Sequence, residues 1–128
     1  MDPEKQIEYW LQSAEHDWDT TKSLIKEKRF DWALFLGHLV MEKVLKAVYV
    51  SRKVTFPPKT HNLIRLAEES GLSLSEQHIR FFEEVNSFHL STRYPDEQFK
   101  FYKKCTESFT LDRITEIEES VQWLKTLI

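Results

Sequence analysis

Glycine is nearly missing from this chain, with 2 residues in 128 against a usual share of about 7%. Glycine serves where φ must be positive or where backbones come close. So few of them leave little room for hairpin turns or a phosphate-cradling glycine loop. That argues against Rossmann and P-loop enzymes and for helices joined by short connections. Cysteine is scarcer still: the lone Cys105 has no internal disulfide partner, and one cysteine is not a metal site. Long apolar runs are missing too, the longest falling far below the roughly 20 residues that span a bilayer. The opening "MDPEKQIEYW" is polar and acidic, unlike a secretory signal. The expectation is a soluble, cytoplasmic protein with no membrane association. Excess charge is lacking as well, since the net value of −3 gives no global nucleic-acid signature.

What remains is ordinary globular material, 41% hydrophobic and 30% charged, which fits neither disorder nor a membrane class. At this length one domain over residues 1–128 is expected, able to bury a core without staples. No internal repeat or low-complexity segment interrupts it.

Periodicity predicts the elements. Asp2-Pro3 opens a helix as capping acid and first-turn proline. Ile7, Trp10, Leu11, Ala14, Trp18, Thr21, Leu24 and Ile25 carry its apolar stripe to about Lys28. Asp31 is placed to cap a second helix to about Arg52, with Phe30 stapling on Phe35. The short link makes these two an antiparallel pair. Gly37 inside the second helix costs about 1 kcal/mol against alanine, and close approach of another backbone is a plausible return. Pro57 and Pro58 stop the helical pattern. Thr60 is placed to cap a short third helix with Leu63, Ile64, Leu66 and Ala67 inward and Gly71 closing it. Ser73 and Glu76 read as a capping box for a fourth helix carrying Ile79, Phe82, Val85 and Phe88. Residues 96 to 105 fit either a short helix or an ordered loop. Thr110 is placed to cap a last helix, with Phe109 stapling on Ile114 and a seam of Ile114, Ile117, Val121, Leu124 and Ile128. The fold class is all-α, an up-and-down bundle of four main helices plus a short additional helix.

The chemistry concentrates in "LGHLVMEKVLKAVYV", residues 36–50. His38, Glu42 and Lys46 recur there at four-residue spacing, about one helical turn, with Lys43 alongside. They form one polar stripe on a helix that is otherwise apolar. Two readings stand. In one, the three line a boundary face with weak pairing and the lysine reaches out to solvent. In the other, they wall a polar cleft between helices, because charges in such a run are expensive unless paired.

From Lys43 to Ala67 the chain has six basic residues (Lys43, Lys46, Arg52, Lys53, Lys59, Arg65) and no acid, and Lys100, Lys103 and Lys104 add a later cluster. Either one face is positive and suits phosphates, or this is ordinary solvated surface. His61, at the expected start of the third helix, either lends an imidazole to a site or plugs the helix end. In "RYPD", Arg93 suits bidentate phosphate or carboxylate contact, or clamps helices by pairing with Glu42. No HExxH and no histidine pair at helical spacing supports a metal site, and serine-hydrolase motifs are absent. Glu83-Glu84 and Glu118-Glu119 read as solvated charge.

Taken in order, "FLGHLVMEKVLKAVYV", "FPPKTHNLIRLAEESGL" and "LSTRYPDE", together with the opening "YWLQSAEHDWDTTKSLIKEKRFDWALF", resemble the HEPN domain family, named for nucleotide binding in higher eukaryotes and prokaryotes. The likeness covers about residues 5 to 127 and is to the small stand-alone prokaryotic type. It implies a helical bundle, often dimeric, often encoded beside or fused to a minimal nucleotidyltransferase. The family's recurring polar positions fall here on Glu42, Lys43, Lys46, His61, Arg93 and Tyr94, and His38 also fits. The ligand this implies is a nucleotide such as ATP or GTP, with RNA a further partner and no other cofactor. Ribonuclease members of the family are alike in an Arg-x4–6-His motif. Here Arg29 to His38, Arg52 to His61 and Arg80 to His89 are each nine apart, and in "HLSTRY" His89 precedes Arg93. This departure speaks against metal-independent RNA cleavage. It leaves nucleotide binding, or partnership with a nucleotidyltransferase, as the leading expectation. The alternative is a ribonuclease or toxin-like half of a toxin–antitoxin pair, with His61 or His89 as acid/base near Arg93. No catalytic residue is assigned.

Overall fold

The computed structural model describes residues 1–90 and 94–128. Those residues contain six helices and no strand: α1 Pro3–Lys26, α2 Phe30–Lys53, α3 Leu63–Glu69, α4 Glu76–Leu90, α5 Pro95–Lys104 and α6 Glu107–Lys125. The all-α expectation holds, and the segment left open between helix and loop is the helix α5.

α2 is the central element and touches each of the other five. Its buried set, including Leu34, Val40, Met41, Val44, Leu45 and Val48, spreads around the helix, as its apolar composition dictates. α1 lies outside it, with only Ala14 and Thr21 buried. The long helices alternate in direction. Asp17 pairs with Lys43 and Trp10 lies by Lys46, so α1 and α2 are antiparallel. Glu84 pairs with Arg113 and His78 stacks on Trp123, so α4 and α6 are antiparallel. Phe82, Val85 and Phe88 of α4 and Ile114, Ile117, Val121 and Leu124 of α6 close the core. Each such large side chain contributes about 1.5–3 kcal/mol on burial. Ile128, expected in the α6 seam, follows that helix and is exposed.

Gly37 lets α6 come close to α2. A Cβ there would sit 2.8 Å from Ile117 Cδ1, so the close neighbour is a side-chain tip rather than the expected backbone. Two of the three positive-φ positions among the described residues do without glycine. Lys28 turns between α1 and α2 at φ 59°, and Val54 ends α2 at φ 55°, unusual for a β-branched residue. Gly71 closes α3 at φ 82° as expected, with Leu72 N–H bonded to Ala67 O at 3.0 Å.

Several caps fall elsewhere than expected. Asp2 does cap α1, accepting from Lys5 N–H at 3.2 Å. Asp31 lies inside the first turn of α2, which has no side-chain cap. Asn62 rather than Thr60 caps α3, accepting from the N–H groups of Ile64 and Arg65. Thr60 Oγ1 instead accepts from Asn62 N–H at 3.2 Å. Ser75 rather than Ser73 holds the start of α4, accepting from His78 N–H at 3.1 Å. Thr106 rather than Thr110 caps α6, and Thr110 is buried within that helix. The misplaced caps of α3, α4 and α6 have one cause. Serine, threonine, aspartate and asparagine are interchangeable as cap signals, and packing selects among neighbouring ones.

Candidate functional site

Glu42 is the centre of the polar stripe on α2. Its Oε2 accepts from Lys46 Nζ at 3.0 Å, and its Oε1 accepts from His61 Nδ1 at 2.9 Å. His38 Nδ1 lies 4.0 Å from the same Oε1, too far for a direct bond. Glu42 is 4% exposed and Lys46 8%, so this is a buried ion pair. Lys46 is largely withdrawn from solvent: its side chain is 11% exposed, and its ammonium sits 5.1 Å from the centroid of the Trp10 ring on α1. That favours the cleft over the boundary-face reading of the stripe.

His61 is brought to Glu42 by the segment ahead of α3, not by the first turn of that helix. Asn62 and Asn86 hold this segment against α4. Asn86 Oδ1 accepts from Leu63 N–H at 3.0 Å, and its Nδ2 donates to Asn62 Oδ1 at 3.1 Å. His38, fully buried, adds a third tie: its Nε2 lies 2.8 Å from His61 O. A carbonyl only accepts, so His38 carries its proton on Nε2 and donates it. Its Nδ1 is then a bare acceptor, enclosed and without a partner among the described residues. Burial pushes the His38 pKa down to about 4, and the Glu42 carboxylate only partly opposes that. His38 is therefore neutral at pH 7.

By the same logic His61 donates its Nδ1 proton to Glu42, which leaves Nε2 as the working nitrogen of a side chain 56% exposed. Under it lies His89 of α4, stacked at 4.5 Å between centroids and 25° between planes. His89 also meets His38 at 5.0 Å and Phe35 at 5.5 Å. Three imidazoles from three parts of the chain thus gather together, two of them within 4.0 Å of one carboxylate. Charge nearly balances: Lys46 offsets Glu42, and His38 is neutral. The exposed group is an imidazole oriented by Glu42, whose Nε2 is left to meet a ligand.

The structure thus joins four of the seven expected residues: His38, Glu42, Lys46 and His61. Lys43 points elsewhere, donating to Asp17 on α1 at 2.6 Å. Tyr94 precedes α5 as its N-cap and is 64% exposed. Arg93 lies outside the described residues, so the proposed Arg93–Glu42 clamp does too. Of the basic run, Lys43, Lys46 and Arg65 are each paired with an acid, Arg65 with Glu69 at 2.8 Å. His89 entered the sequence reading only as an alternative acid/base, and Asn86 not at all. Their one signal is position: three apart on a predicted helix, they share a face.

Among the described residues no group of three His, Cys, Asp or Glu side chains could hold a metal ion. No helix there is long and apolar enough to cross a membrane. Burial, Asp31 and an opposing Lys104 set the pKa of the lone thiol, Cys105, which is pushed up to about 12.

Fold and site together define an all-helical bundle with an ionisable cluster between its helices. The chain belongs to the HEPN domain family, whose model matches residues 7–127. That family is one of helical domains of the nucleotide-binding and ribonuclease type. No curated protein and no solved structure matches it.

Proposed function

We propose that this HEPN protein binds a nucleotide at the groove beside α2 where His61 is exposed. The observation that carries the reading is the 2.9 Å bond from His61 Nδ1 to the buried Glu42. It fixes one imidazole with Nε2 outward, and His89 gives it an aromatic ledge. A ring N–H at His61 Nε2 donates to a phosphate oxygen while Nδ1–H stays bonded to Glu42. Arg93 and Tyr94 are the further ligand-binding positions that the family pattern implies. Lys46 takes part by holding Glu42 in place, since its ammonium is already paired and buried. The protein acts as a homodimer and as partner to a minimal nucleotidyltransferase. ATP and GTP are the ligands to test.

At a hundredfold excess over Kd a ligand stabilises the fold by about 2.7 kcal/mol, roughly 10 °C in Tm for a chain of this size. That rise is expected with ATP or GTP and is lost in His61→Ala and in Arg93→Ala. No shift with any nucleotide removes the reading.

The same bond favours a second reading, because a carboxylate that orients an imidazole is the arrangement of a general base. It predicts RNA degradation in chelator that stops in His61→Ala. RNA left intact by pure wild-type protein removes it.

A further inference from the structure

Where the α1–α2 turn meets the end of α5, a cleft of about 330 Å³ opens on Lys28, Phe30, Asp31, Tyr102 and Lys103. It shares no lining residue with the His61 groove. Asp31 is its anomaly. The residue is 9% exposed, yet its carboxylate accepts no hydrogen bond and joins no ion pair among the described residues. By contrast the withdrawn carboxylates of Glu42, Asp17 and Glu84 each hold a cation. Burying a charge is costly unless a partner offsets it. The start of α2 favours an acid through its dipole, but that partial charge makes no bond to the carboxylate. The cations of the cleft stay apart from Asp31 too. Neither Lys28 nor Lys103 pairs with an acid among the described residues. Lys103 Nζ lies instead 4.6 Å from the Phe99 centroid, and Lys28 belongs to the tight turn, at φ 59°. Burial first, and then the charge of Asp31, push the Cys105 thiol up to about 12. That charge is therefore felt inside the cleft, which Cys105 also lines.

One cleft thus holds a withdrawn carboxylate and two ammonium groups that do not meet it, with two aromatic rings beside them. That combination complements a zwitterion with an apolar body. We propose that this cleft binds a free α-amino acid with a hydrophobic side chain. The ligand's ammonium supplies the partner that Asp31 lacks, its carboxylate meets Lys28 and Lys103, and its side chain lies on Phe30 and Tyr102. Simpler ligands fit less well. A lone anion satisfies the lysines and sets its charge against Asp31. A lone amine satisfies Asp31 and sets its charge against the lysines. A ligand with both charges improves every contact. The uncapped start of α2 adds a positive end for the ligand's carboxylate. The volume suits one such molecule, since small-ligand sites begin near about 300 Å³. The inference is independent of the His61 groove.

The test is titration calorimetry of the full-length protein with L-leucine and L-phenylalanine, with Tm measured alongside. At least one of the two is expected to bind at millimolar concentration or below. The N-acetyl derivative lacks the ammonium, and the amide lacks the carboxylate and stands in for a peptide N-terminus. Each should bind about tenfold or more weakly than the parent, as loss of a charged partner implies. Glycine, without a side chain, should also bind more weakly. Asp31→Asn should weaken binding of the free amino acid about tenfold or more. Its Tm should hold or rise, because no bond is lost and an unpaired buried charge is removed. An Asp31 that serves only α2 gives the opposite pattern, a lower Tm and no ligand. The pair Lys28→Gln, Lys103→Gln should remove the preference for the free acid over the amide. His61→Ala should bind the amino acid as the wild type does, and ATP should not displace it, so this site and the nucleotide site fail separately. Four results overturn the proposal: neither amino acid binding by heat or by Tm, a blocked derivative binding as well as its parent, Asp31→Asn binding unchanged or losing Tm, or displacement by ATP.

Discussion

Replacing Glu42 with methionine keeps the volume and removes the carboxylate that Lys46 and His61 share. The ion pair is 3.0 Å long, with side chains 11% and 6% exposed. At an effective dielectric near 20 its gross attraction is about 5–6 kcal/mol, most of it offset by desolvation. The net value of the pair is therefore small, but the loss of one partner is not, because the other is left buried and charged. Breaking such pairs costs about 3–5 kcal/mol. Glu42→Met belongs at the lower end, near 3 kcal/mol, since the Lys46 ammonium keeps a slight exposure and the face of Trp10. For 128 residues the unfolding entropy near Tm is about 0.27 kcal/mol/K, so Tm should fall by roughly 11 °C. Lys46→Met should cost less, about 2 kcal/mol, because the stranded Glu42 keeps its bond from His61. The double variant strands no charge and should lie about 2 kcal/mol or more above the sum of the singles. The measurement is guanidinium unfolding of all four proteins at pH 7, with equal slopes required so that midpoints report stability. Singles that each lose under about 1 kcal/mol, or a coupling under about 0.5 kcal/mol, would refute the claim that this charge is held by its partner.

Two further outcomes follow from the core. His38 has a folded pKa of about 4 against the ordinary 6.5, so between those values the unfolded chain binds the extra proton. Its contribution is complete above pH 6.5 and is lost as pH falls through about 4, roughly 3 kcal/mol in all. Urea unfolding between pH 4 and 7 should show a shallower acid loss in His38→Gln than in the wild type; parallel curves would contradict this. At Gly37 a methyl group gains about 1 kcal/mol of helix propensity but meets Ile117 Cδ1 at 2.8 Å. Gly37→Ala should therefore stabilise more in an Ile117→Val background, where that carbon is gone, than in the wild type. Equal effects in both backgrounds would show that α6 simply moves aside.

Elements with strong period-3.6 patterning were legible in the sequence, because an apolar stripe has to face a core whatever that core contains. The α2, α4 and α6 seams fall where that pattern puts them, apart from Ile79, which is only half-buried and outside the core, and Ile128, which is exposed. Caps were not legible, because the residues that signal them recur every few positions near each helix start. Within the site, the link of His38, Glu42 and Lys46 was readable, since four-residue spacing is a local fact of the helix. Lys43 shows the limit of that argument. It is adjacent to Glu42 in sequence, yet 100° of helical rotation carries it to Asp17 on another helix.

By itself, then, the sequence determined an all-helical chain and a polar stripe on its most apolar helix. Local propensity and periodicity act over a few residues, and those few residues carry the information. Tertiary structure alone decided what the stripe does. His61 arrives from 19 positions beyond Glu42, and His89 stacks beneath it from α4. The tie between Asn62 and Asn86, 24 positions apart, sets where the imidazole stands. Such contacts depend on how helices dock, and docking is fixed by the packing of the whole core.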